Sequence, residues 1–352
     1  MFEKSFISDC EGPLTLNDNA YEMCEYFIDS GDKLFKTLSL FDDYLVDVIK
    51  KSDYNAGNTL KLIIPFLKAE NISNDDLINF SKKNILEISY AKDSLNFIKR
   101  FMNSYIVSTS YGQYISAVCD YMDFPFDKTF YTFLNLDSFK INNDEINKIK
   151  EFKNIIINLD PEKNKDLKVL DDIFFNQIPK MGINKYLSKI KTVGGIEKQL
   201  AIEKIISDNK IDKNNIFYIG DSITDCEPLN YARKNNGISI SFNGNIYSLK
   251  EAEIAIVSIN SIPTALIADI YSKFDKKKVL EFIKDYNTQN NLKELFNIYD
   301  IDLWITQKFF ESFSNYNYPI IKIIDKNNLD FILKNSKKIR TEIRGQAISN
   351  LG

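Results

Sequence analysis

Two apolar runs that end in acids restrict the folds open to this chain more than any other feature in it. Phe6 to Thr15 reads FISDCEGPLT, and its apolar start breaks at Asp9, with Glu11, Gly12 and Pro13 following at once. That pattern predicts a strand running into a tight, charged turn. Asn215 to Pro228, NIFYIGDSITDCEP, repeats it, with the apolar run ending in Gly220 and Asp221 and a further acid at Asp225. Carboxylates crowded at strand ends repel one another and are costly to desolvate, so folding alone gives little reason to place them there. Brought together, the two ends make a cup of hard oxygen ligands of the kind that holds Mg²⁺.

Strand and helix patterns alternate around these runs. SYIVS at Ser104 to Ser108 reads as a strand ending in the hydroxyl cluster Ser108, Thr109 and Ser110, and a helix follows from near Tyr111 to Met122. KTFYTFLNL at Lys128 to Leu136 alternates like a further strand. Gly194 and Gly195 then open a helical stretch, IEKQLAIEKIISDN, with Lys198 in its first turn. NGISIS at Asn236 to Ser241 and EIAIVS at Glu253 to Ser258 complete the strand set. Such alternation predicts an α/β fold, a doubly wound parallel sheet whose ligands bind beyond the C-terminal strand ends. Asp9, Ser108 and Asp221 all fall at such ends.

The same reading divides the chain. Residues 1–15 and 95–260 make the α/β core, and 16–94, with apolar residues at three- and four-residue spacing and no strand pattern, make a helical insertion after the first strand. A smaller helical insertion is expected at about 142–186, and 261–352 reads as a helical C-terminal extension.

Composition removes several function classes. The net charge is −4, and only four of the 45 basic residues are Arg (Arg100, Arg233, Arg340 and Arg344), which argues against a nucleic-acid partner. The start, MFEKSF, is too short and too charged for a signal peptide. The longest uncharged stretch, Ile254 to Ala268, is short for a membrane span and contains Pro263. With four cysteines in no metal-like spacing, a cytoplasmic location is expected. There is no histidine. Ser-His-Asp, Cys-His and His-ligated zinc chemistries are therefore excluded, and any general acid or base is a carboxylate, Lys, Tyr or Cys.

A carboxylate can attack a phosphoryl group in line, giving an aspartyl phosphate that splits one hard step into two easier ones. Mg²⁺ removes the repulsion between phosphate and carboxylates, while an ammonium and hydroxyl or backbone donors hold the remaining oxygens. Asp9 is the candidate nucleophile and metal ligand, and Asp221 the second metal ligand. Asp225 is a ligand through water or an orienting residue. Ser108, or Thr109 one residue on, would donate to phosphate, Lys198 would neutralise it, and Glu11 would serve as acid and then base.

DCEGPLT, Ser108, Lys198 at a helix start and GDSITD together resemble, in order, the four motifs of the haloacid dehalogenase (HAD) superfamily. The placing of the helical insertion resembles the cap of the phosphoserine phosphatase branch. The resemblance implies a HAD-like Rossmannoid sheet and Mg²⁺ held by Asp9, the main-chain carbonyl of Glu11 and Asp221. It also implies phosphohydrolase activity on a small phosphorylated metabolite beneath a closing cap. More narrowly, the DCEGPL start, large cap and long C-terminal part are similar to archaeal HAD-like proteins described as subunit R of energy-converting hydrogenase A. That likeness implies an alternative, an accessory subunit meeting a protein partner through its C-terminal helices. One position departs from the superfamily pattern, where Asp is usual and Glu11 stands here. The extra methylene carries the carboxyl about 1.5 Å further out, although enolase-phosphatase-like members share it.

Overall fold

The computed structural model describes residues 3–52, 54–313 and 318–349, with side chains to 345. The extreme ends of the expected core and extension, and residues 314–317, lie outside the described residues. Seven strands form one sheet in the order β3-β2-β1-β4-β5-β6-β7: β1 is Ser5–Ser8, β2 Asn103–Tyr111, β3 Thr129–Thr132, β4 Ile216–Gly220, β5 Ile238–Phe242, β6 Ile254–Val257 and β7 Ile320–Ile323. The first six are parallel. β7 runs antiparallel to β6.

The central strand places the site. Ser8 of β1 lies opposite Ile106 of β2 and Ile219 of β4, and the Asp9 N–H extends the ladder to the Ile219 carbonyl at 2.9 Å. Asp9 and Asp221 therefore leave the sheet side by side. β2 continues beyond the expected end at Ser108 to Tyr111, with a register shift against β3 between Val107 and Tyr111. Its ladder with β1 stops at Ile106, so Ser108 still stands past the paired end. Irregular strand ends of this kind recur beside active sites because they re-aim side chains.

Alternation along each strand feeds two buried faces. Phe6, Ile106, Phe217, Ile219 and Ile240 pack on one side with the helices Ala91–Ile98, Gly112–Met122 and Ile262–Lys273. Ile7, Val107 and Tyr218 pack on the other against Ile196–Asn209 and Cys226–Lys234. The C-terminal part shares the first core, since Phe282, Phe296 and Phe309 belong to it.

The structure corrects one expectation and adds a second feature. The C-terminal extension is not purely helical, because β7 joins the sheet edge, so EIAIVS is not the last strand and the sheet is not wholly parallel. IIKI is four residues long and lies between helices; its strand state comes from pairing with β6, which local pattern does not show. The two helical insertions also pack as one body. Leu38, Phe41 and Phe66 from the first share a cluster with Phe152, Ile156 and Phe174 from the second. The Phe41 and Phe174 rings lie 6.0 Å apart. Each segment carries one apolar face and buries it against the other.

Local chemistry fixes where these helices start. Asp18 accepts from the Tyr21 N–H at 3.0 Å. Ser73 with Asp76, and Asn142 with Glu145, form reciprocal capping boxes.

Candidate active site

Lys198 stands third in the helix Ile196–Asn209, and its side chain is fully enclosed, at 0% exposure. Its ammonium donates to Asp9 Oδ2 at 2.7 Å and to Asp225 Oδ1 at 2.8 Å. Burial alone would lower this ammonium; Asp225 and then Asp9 overcome that and hold it above the usual lysine range. Asp9, Asp221 and Asp225 each offer an oxygen within 4.8 Å of the others. Residues nearly two hundred positions apart in the sequence therefore lie together.

Their charges are unequal to their setting. Burial pushes Asp9 up to about 8, with Asp225 and Asp221 adding to the shift against the pull of Lys198. Burial also raises Asp221, opposed by Arg340 and Arg344. Burial acts to raise Asp225, but Lys198 together with hydrogen bonds from Tyr218 and Ser222 holds it below the usual carboxylate range. An all-oxygen donor set of this kind fits a hard divalent cation such as Mg²⁺.

Asp225 is the residue least free to ligate. Its Oδ1 accepts from Lys198 and, at 2.7 Å, from the Tyr218 hydroxyl. Its Oδ2 accepts from the N–H groups of Asp221 and Ser222, both at 3.0 Å. Of the two roles expected for it, these bonds describe the orienting one.

Two glycines let the acids approach the backbone. Gly12 has φ 102°, and a Cβ there would sit 2.3 Å from Asp221 Cγ; at Gly220 a Cβ would meet Asp225 Cγ at 2.3 Å. Gly12→Ala therefore combines a strained backbone with displacement of Asp221, and is expected to cost about 1–3 kcal/mol. Thermal unfolding would read the loss.

Glu11 reaches further than an Asp would. Its Oε1 accepts from the Asn19 N–H at 2.6 Å, at the start of the first cap helix, and its Oε2 from the Ser110 hydroxyl at 2.7 Å. Burial, with Asp18, raises it to about 8. A carboxyl that keeps its proton near neutrality suits acid catalysis.

Both hydroxyl candidates line the same cavity as Asp9. Ser108 Oγ accepts from the Ser110 N–H at 3.2 Å, whereas Thr109 Oγ1 is buried and has no partner. Ser108 only accepts in that bond, so both hydroxyls keep a proton free to donate.

The sequence reading missed Arg340 and Arg344. Both lie on the C-terminal helix Leu329–Ser349 and reach back to Asp221 Oδ2, at 2.8 Å and 3.2 Å. Arg340 also donates to the Asn243 carbonyl at 3.2 Å. Arg344 donates to the carbonyls of Leu16 at 2.9 Å and Asn17 at 2.6 Å, on the strand-to-cap connection. At Asp221 Oδ2 they compete with any cation.

No protein-family model and no curated protein matches the chain. Among solved structures, gene product AF1437 from Archaeoglobus fulgidus matches over 99% of this chain and 99% of its own, at 25% identity and a TM-score of 0.83. A phosphoserine phosphatase solved as a phospho-aspartyl intermediate analogue matches over 72% of this chain and 93% of its own, at 14% identity and a TM-score of 0.47. An apo phosphoserine phosphatase matches over 73% and 95%, at 13% identity and a TM-score of 0.43. The chain shares the fold of the Archaeoglobus protein over nearly its whole length. That likeness spans the C-terminal helices as well as the sheet.

Proposed function

We propose that this chain is a Mg²⁺-dependent phosphohydrolase of the HAD type that cleaves a small phosphomonoester through an aspartyl phosphate on Asp9. The observation that carries the reading is the buried Lys198 ammonium between Asp9 and Asp225, with Asp221 beside them. A nucleophile, a neutralising ammonium and a metal cup in one place have a common purpose in phosphoryl transfer.

Held by Asp9, Asp221 and the Glu11 main-chain carbonyl, Mg²⁺ would neutralise the charge shared by phosphate and carboxylate. Asp9 attacks phosphorus, and the ester oxygen leaves. Glu11 gives that oxygen its proton, then takes one from the water that hydrolyses the aspartyl phosphate. Lys198 holds Asp9 in place and offsets the charge on the phosphoryl oxygens, while Thr109 or Ser108 donates to one of them. Asp225 orients Lys198 and fixes the loop that carries Asp221.

The cavity above Asp9, about 120 Å³, is walled by the core residues together with Phe35, Asp42, Thr59 and Leu60 of the cap. Its size favours a small metabolite. No helix among the described residues is long and apolar enough to cross a membrane. Phosphate release from a panel of phosphorylated metabolites, with and without Mg²⁺, tests the activity; no release from any member would defeat it.

Cation binding has its own signature. A buried Asp9 with its pKa raised to about 8 binds a proton in the fold that the unfolded chain has shed. Its contribution to stability therefore falls as pH rises from about 4 towards that value. A cation displaces that proton, so the gain in melting temperature on adding Mg²⁺ is expected to grow between about pH 6 and pH 8. A gain that is absent or flat over that range would count against the cup.

A further inference from the structure

The donors of the arginine pair are only partly spent. A guanidinium carries five N–H donors in a rigid fork. Arg344 uses three groups, on Leu16, Asn17 and Asp221. The hydrogen bonds of Arg340 all leave from Nη1, and its Nε is buried without a partner in a residue 4% exposed. Both residues line the cavity, where the other charged groups, Asp9, Glu11, Asp18, Asp42, Asp43 and Asp221, are all acidic. Lys198, below Asp9, is committed to two carboxylates.

A cavity so rich in acid repels an anionic ligand except where a cation faces it. The phosphoryl group has Lys198 and the metal cup. Arg340 and Arg344 meet Asp221 Oδ2, and an oxygen of Asp221 lies within 4.8 Å of one of Asp9. The Nε and Nη2 of Arg340 make a free fork on a residue that lines the same cavity as Asp9, the geometry that suits a second anion.

We propose that Arg340 and Arg344 are specificity-determining residues that bind a second anionic group on the substrate, which is therefore a small phosphomonoester also bearing a carboxylate or another phosphate. The inference rests on the phosphohydrolase reading. It assigns the C-terminal helix a part in substrate choice, which neither the sheet nor the cap supplies.

Binding is measured apart from turnover in the Asp9→Asn protein, by calorimetry in the presence of Mg²⁺. Three matched probes are used: ethyl phosphate, phosphoglycolate and ethylene glycol bisphosphate. One doubly anionic probe at least is expected to bind on the order of tenfold more tightly than ethyl phosphate, and the one that does so identifies the second anion. Adding Arg344→Gln should bring that ratio close to one, and Arg344→Lys, which keeps the charge but not the fork, should leave it in between. A structural role alone would weaken all three probes equally and leave the ratio unchanged. Equal affinities for all three, or a preference that survives both substitutions, would overturn the inference while the phosphohydrolase stands. Failure of every probe to bind, with no phosphate release by the unaltered protein, would bring down the phosphohydrolase reading too.

Discussion

Asp9→Asn is expected to lower phosphate release by about a thousandfold or more while the protein melts at the same temperature or higher. The amide keeps the shape of the carboxylate, and its oxygen can still accept from the Cys10 N–H, which meets Asp9 Oδ1 at 2.6 Å. Turnover fails because an amide oxygen cannot form the acyl phosphate that the mechanism requires. Stability need not fall, since Asp9 is already strained by burial and by the like charges of Asp225 and Asp221. Neutralising it relieves that repulsion, and Lys198 keeps its second partner, Asp225. Melting curves and rates on whichever ester the panel reveals would check both halves. A variant that retained even a tenth of the rate would rule out the covalent step.

The floor of the candidate site was legible because its residues advertise themselves locally. Asp9 and Asp221 interrupt apolar runs at strand ends, and Lys198 opens a helix behind two glycines, so strand-end geometry was enough to gather them. Arg340 and Arg344 do not stand out in that way. They lie on a helix that also carries Lys334, Lys337 and Lys338 and has the look of a solvated face. A signal was nonetheless present. In a chain that uses Lys for nearly every cation, two of its four Arg residues stand four apart, a spacing that puts them on one helix face. Arg in place of Lys at such positions points to planar, forked recognition of carboxylates or phosphates. β7 and the joining of both helical insertions into one core were illegible for another reason. Each depends on pairing between segments far apart in sequence, and a local pattern records only that an apolar face exists.

Removing the central ammonium should do the most damage to the fold. Lys198→Met keeps most of the volume but leaves Asp9 and Asp225 buried without their cation, and breaking such a pair from one side costs about 3–5 kcal/mol. The loss should depend on pH in a definite direction. In the unaltered protein Asp225 is depressed by Lys198, so its stabilising contribution is present above the unfolded value of about 4 and is lost only at lower pH. Without Lys198 burial is opposed only by the hydrogen bonds from Tyr218 and the loop N–H groups, so the folded-state value of Asp225 rises and the variant loses stability as pH increases through the range between the two values. The deficit measured by denaturant unfolding should therefore be larger at about pH 8 than at about pH 5. Mg²⁺ should narrow it, because the cation replaces part of the missing positive charge. A deficit that stays constant with pH would mean that Lys198 contributes packing rather than charge. Asp225 would then not be a carboxylate held ionised by that ammonium, and the proposed phosphoryl-transfer site would lose its electrostatic basis.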